Sequence, residues 1–145
     1  MDNIIITKTL HDDNLIQLNI KVFSQYVNIW QDCFIEDKDL IENANKMLAY
    51  TKFPNENCYV EFGVKKGNFT PAYSINLLPI DSNGKVKIEL DMEINDNNKR
   101  MHRCSFYICT EIGLIEKLAK NLKTIVNKNT NETISLVDSE EYLGY

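Results

Sequence analysis

Val86–Ile94 reads V-K-I-E-L-D-M-E-I, and this stretch decides the fold. Val86, Ile88, Leu90, Met92 and Ile94 are apolar, while Lys87, Glu89, Asp91 and Glu93 are charged. A period of two is the mark of a strand with one dry face and one wet face. A polar turn and the run K-R-M-H-R at 99–103 follow, and then a second strand-like run, C-S-F-Y-I-C, at 104–109. Two such runs around a polar turn predict a hairpin. Its register follows from keeping both faces consistent: Met92 opposite Cys104, Leu90 opposite Phe106 and Ile88 opposite Ile108. The other face then carries the pairs Glu93–Arg103, Asp91–Ser105 and Glu89–Tyr107. A slip of one residue would set Met92 against Arg103 and mix apolar with charged groups on both faces.

Working back towards the N-terminus, Asn3–Lys8 is a short Ile-rich run of edge-strand character, and the turn cluster His11–Asn14 closes it. Ile16, Leu18, Ile20 and Val22 alternate with polar neighbours, and the phase changes around Phe23-Ser24. Either a turn there makes two strands or a bulge makes one bent strand. Asp39–Thr51 carries an apolar stripe at helical spacing, and Asp39 with Glu42 resembles a capping box. Cys58–Val64 and Ala72–Ile80 read as strands. Glu111–Asn127 is a second amphipathic helix, with Thr110 as its expected N-cap. No internal repeat is visible. The expected fold is α+β: a mainly antiparallel sheet of six to seven strands with two helices packed on one face. Residues 1–127 form one domain. Residues 128–145 are a polar C-terminal tail, in which Ile134–Val137 can add one short edge strand.

The chain has 145 residues, with 43% hydrophobic and 26% charged, which is ordinary globular material. No apolar run approaches the roughly 20 residues that a membrane helix needs, and the start has no basic n-region or long apolar h-region. A cytoplasmic location is expected, and the heavy use of Asn, Ile and Lys suggests a bacterial source. The net charge of −5 argues against nucleic acid or an anionic membrane as the main partner and permits a basic protein. The spacings of Cys33, Cys58, Cys104 and Cys109 match no zinc pattern, so neither a metal nor a cofactor is expected.

The outward face of the hairpin is the candidate site. Glu89, Asp91, Glu93 and Tyr107 lie on it, and Trp30 joins them if the 26–34 strand shares the sheet with the same facing. Aromatics ringed by charge are the usual makings of an interface hot spot. Arg100, His102 and Arg103 read as charge compensation beside the acidic strand. Carboxylates two apart on a strand suit acid–base work geometrically, but no catalytic motif accompanies them, and a nucleophilic Cys109 needs a base such as His11 nearby. The leading expectation is therefore a small acidic protein-binding module, of the kind that immunity-type inhibitors of basic toxins represent. One alternative is a small-molecule-binding domain or enzyme, its pocket between sheet and helices lined by Trp30, Tyr107 and His102. The other is self-association through the aromatic sheet face.

Overall fold

The computed structural model describes residues 2–64, 71–93 and 103–137. Its elements in chain order are β1 (Asn3–Asp12), β2 (Leu15–Phe23), β3 (Asn28–Glu36), α1 (Asp37–Lys52), β4 (Cys58–Val64), β5 (Pro71–Leu77), β6 (Lys85–Glu93), β7 (Arg103–Glu111), α2 (Ile112–Ile125) and β8 (Thr133–Ser135). The class is α+β, as expected. The expected single sheet of six to seven strands is instead two four-stranded antiparallel sheets, ordered β3-β2-β1-β8 and β4-β5-β6-β7. The two helices pack on each other, not side by side on one sheet face. Two sheets are compatible with the alternation, as one sheet covered by helices would also be. Each strand has one apolar row, and here the rows of two sheets face one core together with the helices. That core draws on both sheets and both helices, from Ile4 and Leu18 through Leu40 and Met47 to Leu90 and Leu122.

Local chemistry explains most boundaries. The phase change after Phe23 is a turn, so residues 15–36 form two strands. Ser24 N–H donates to Val27 O at 2.8 Å, and Val27 N–H donates back to Ser24 Oγ at 3.0 Å. Asp13, at φ 52°, lets a two-residue loop join β1 to β2, a conformation that Asp tolerates better than most residues. β1 runs on to Asp12 across a bulge between Lys8 and Leu10, and it is an inner strand, not an edge. The predicted hairpin register holds pair for pair, from Lys85 opposite Glu111 to Glu93 opposite Arg103.

Both predicted helix caps are corrected. Helix α1 begins directly after Glu36 and α2 directly after Glu111, each without a side-chain cap. In both cases a strand runs into the helix with no loop between. The alternation of β7 continues to its end, so Thr110 points into the core and Glu111 outward. The Asp39/Glu42 box does not form because Asp39 is already within the first helical turn.

A repeat that the sequence hides is plain in the architecture. Strands β1-β2-β3, helix α1 and strand β4 have the same order as β5-β6-β7, α2 and β8. The last strand of each half pairs with the first strand of the other: β4 with β5, and β8 with β1. One constant offset, the one that carries Glu36 to Glu111, takes every buried position of α1 (Leu40, Asn43, Ala44, Met47, Tyr50) onto one of α2 (Ile115, Leu118, Ala119, Leu122, Ile125). A second offset, the one that carries Leu15 to Lys85, takes Ile16, Leu18, Ile20 and Val22 onto Val86, Ile88, Leu90 and Met92. The cross-strand pairs agree: Leu15 stands opposite Glu36 as Lys85 stands opposite Glu111.

The sheets meet where β4 crosses β3. Gly63 is at φ +73°, and a Cβ placed on it would lie 2.7 Å from Cys33 Cβ and 2.8 Å from Phe34 O. Only a residue without a side chain permits that approach. Beneath the seam Phe62 and Tyr73 stack with ring centroids 4.5 Å apart. Among the described residues the fully buried Tyr73 hydroxyl has no hydrogen-bond partner. At the far end of the core, Lys8 is 1% exposed. Its ammonium donates to Ile125 O, Val126 O and Lys128 O at 3.2, 3.0 and 2.7 Å, closing the C-terminal turn of α2. A cation there also suits the helix dipole. Residues 133–137 are not loose: β8 pairs with β1, and Leu136 and Val137 are buried.

Candidate functional site

The outer face of the second sheet is built by register. One row across it reads Tyr59, Asn76, Glu89, Tyr107, and the next reads Glu61, Ser74, Asp91, Ser105. Tyr107 OH donates to Glu89 Oε2 at 2.9 Å, and Tyr59 OH donates to Glu61 Oε1 at 2.9 Å. The Glu89 carboxylate, through that bond and its charge, pushes the Tyr107 hydroxyl up from its ordinary range. Tyr59 is also pushed up, chiefly by desolvation, with Ser74 opposing and Glu61 adding to it. Lys87 Nζ stands 5.3 Å above the Tyr107 ring, and Arg103 Nε donates to Asp91 Oδ1 at 3.1 Å. Tyr59 and Tyr107 are each about half exposed, so no helix covers this face.

Three placements differ from the sequence reading. Trp30 is exposed but lies on β3 of the other sheet, opposite Lys21, and does not join Tyr107. Glu93 is 3% exposed and offers no surface to a partner. Arg100 and His102 lie outside the described residues, as does the tail from 138 onward; Arg103 stays beside the acidic strand, bound to Asp91.

An open concavity adjoins the outer face at the seam. A cleft of about 640 Å³ is lined by Leu15, Phe34, Glu36, Asp39, Glu61 and Gly63, a size common for ligand sites. Trp30 and Tyr107 do not line it. Sequence reasoning missed these residues because they come from β2, β3, α1 and β4, and only the crossing at Gly63 gathers them. A usable signal existed: Leu15 and Phe34 are apolar residues on the polar rows of their strands. Glu61 belongs to both places, lining the cleft and standing on the outer face. Glu36 pairs with Lys38 at 3.5 Å, with both side chains more than half exposed.

At the corresponding place in the second half an exposed ion pair bridges the two strands. There Lys85 Nζ donates to Glu111 Oε1 at 2.6 Å. The hydrogen bond and charge of Glu111 hold the Lys85 amine above its usual range, and Lys85 holds the Glu111 carboxyl below its own. Asp2 Oδ2 accepts from Cys109 N–H at 2.8 Å, at the position matching Phe34.

The Cys109–His11 dyad does not assemble. Asp2 touches Cys109, whereas His11 lies nine residues further along the same chain, about 30 Å at strand rise. His11 Nε2 is 3.2 Å from the Asp37 carboxylate. Among the described residues no three His, Cys, Asp or Glu side chains are grouped to hold a metal ion, and no helix is long and apolar enough to cross a membrane. No family model, curated protein or solved structure matches the chain.

Proposed function

We propose that the protein is an acidic binding module for a basic protein, in the manner of an immunity-type inhibitor. What supports this reading is the open face on which Tyr59 and Tyr107 frame Glu61, Glu89 and Asp91. The tyrosines offer rigid, amphipathic contact area, and the carboxylates offer complementarity to lysine and arginine. Lys87 and Arg103 neutralise part of this face and set where a partner's cations cannot go. Electrostatic attraction of this kind speeds association and weakens with salt.

The test is affinity capture of the tagged full-length protein from its own organism at low and high salt, beside a Glu89→Lys/Asp91→Lys variant. A basic protein held at low salt, released at high salt and lost by the variant supports the module. Retention that ignores both salt and the charge reversals overturns it.

A further inference from the structure

We propose that the seam cleft seats a basic side chain of the partner polypeptide next to an apolar one, with Glu36 taking the cation and Leu15 and Phe34 the apolar group. The inference rests on the protein-binding reading and names the subsite through which it works. Its warrant is inside the molecule. The hairpins β2–β3 and β6–β7 end in the same pair of positions, and at the second end the chain supplies a cation to the carboxylate itself: Lys85 reaches Glu111 at 2.6 Å. At the first end the carboxylate is kept as Glu36, but the lysine is replaced by Leu15. The cross-strand cation is gone and an apolar side chain stands in its place.

The surroundings fit a polypeptide more closely than water alone. Leu15 and Phe34 are each 42% exposed, on rows where a solvated strand would carry polar groups. Asp39 and Glu61 line the same cleft, so acidic and apolar side chains share its wall among the described residues. A lysine or arginine beside a leucine or phenylalanine satisfies both features at once. An ammonium alone would leave Leu15 and Phe34 wet, and an apolar group alone would desolvate the Glu36 carboxylate, whose pair with Lys38 is a solvent-exposed one.

Uniformly labelled full-length protein is titrated with acetyl-Lys-Leu-Lys-Phe-Lys-amide, and separately with acetyl-Lys-Ser-Lys-Ser-Lys-amide of equal charge, with backbone amides followed by NMR. The expected result is that the first peptide shifts Leu15, Phe34 and Glu36 and binds about tenfold more tightly than the second. Leu15→Lys copies the second half and should close the cleft in cis, weakening the first peptide about tenfold while leaving Tm unchanged or raised. Phe34→Ser, at an exposed position, should weaken it as well, and Glu89→Lys should not. Equal binding of the two peptides, or a Leu15→Lys variant that binds as the parent does, overturns the cleft. The broader reading fails separately: if partner capture is lost with Glu89→Lys/Asp91→Lys but unmoved by Leu15→Lys, the cleft is wrong and the module stands. If the peptide binds as expected and no basic partner is captured, the module reading falls and the subsite remains.

Discussion

Helices α1 and α2 bury the same five positions at a constant offset, while the hairpin ends that lead into them differ in kind. Inside, Met47 answers Leu122 and Ala44 answers Ala119. Outside, Leu15 answers Lys85 and Phe34 answers Cys109, so one half carries an open acidic cleft and the other an ion pair. The halves also close their helix ends differently. Lys8 caps α2 from β1, whereas the register of β5 puts Leu77 at the matching place, and Tyr50 OH donates to Leu78 O near the end of α1. The lesson is that packing constrains burial class at each core position, while the rim is left for each half to use separately. A core site must match its neighbours in volume, and a rim site need only stay compatible with water.

The largest effect is expected at the seam of the first half, where β4 meets β3 and the two sheets touch. Gly63→Val adds a side chain at positive φ against Cys33 and the Phe34 backbone. It should cost about 3 kcal/mol or more in urea unfolding, and a near-neutral result would mean the seam is not close-packed. Next comes the likeness of the cores. Met47→Ala and Leu122→Ala should each cost about 3 kcal/mol and agree within roughly 1 kcal/mol; a wide disagreement would break the equivalence of the two helices. The unlike helix ends give the third test. Lys8→Met leaves three carbonyls at the end of α2 without their donor, and should cost about 2 kcal/mol, with amide exchange accelerating first in the last turn of α2. Tyr73→Phe, which removes a buried hydroxyl lacking a partner, should be neutral or stabilise by up to about 1 kcal/mol in thermal unfolding.

The smallest effect concerns the exposed ion pair of the second half. The Glu111 carboxyl lies below its ordinary 4.5 in the folded chain, so its contribution is present above 4.5 and is lost as pH falls through the lowered value. Lys85 lies above its ordinary 10.5, so its contribution is complete below 10.5 and is lost as pH rises through the raised value. Lys85→Leu should return Glu111 towards 4.5, read by carboxyl NMR titration; an unmoved midpoint would show that Lys85 does not hold it.

The β6–β7 hairpin could be read in full because its information is local. Five apolar and four charged residues in strict alternation leave one register, and that register also put Tyr107 beside Glu89. The repeat could not be read. Of the five matched core positions on each helix, Ala44 and Ala119 alone are identical, and Gln31, Cys33 and Ile35 face inward where Phe106, Ile108 and Thr110 do. What persists between the halves is burial, which is a property of the folded chain and not of a residue type. The capping boundaries were missed because strands pass straight into helices, and the side chains of Thr110 and Asp39 were read as free to turn back.

By itself the amino-acid sequence determined which residues alternate, where two amphipathic helices lie and which strand carries the acid, because periodicity and turn chemistry act over a few residues. Tertiary structure alone decided that there are two sheets, that Trp30 and Tyr107 stand on different ones, and that Leu15, Phe34, Glu36 and Glu61 share a cleft. Those depend on how strands from distant parts of the chain exchange and cross, and the crossing turns on the absence of a side chain at Gly63.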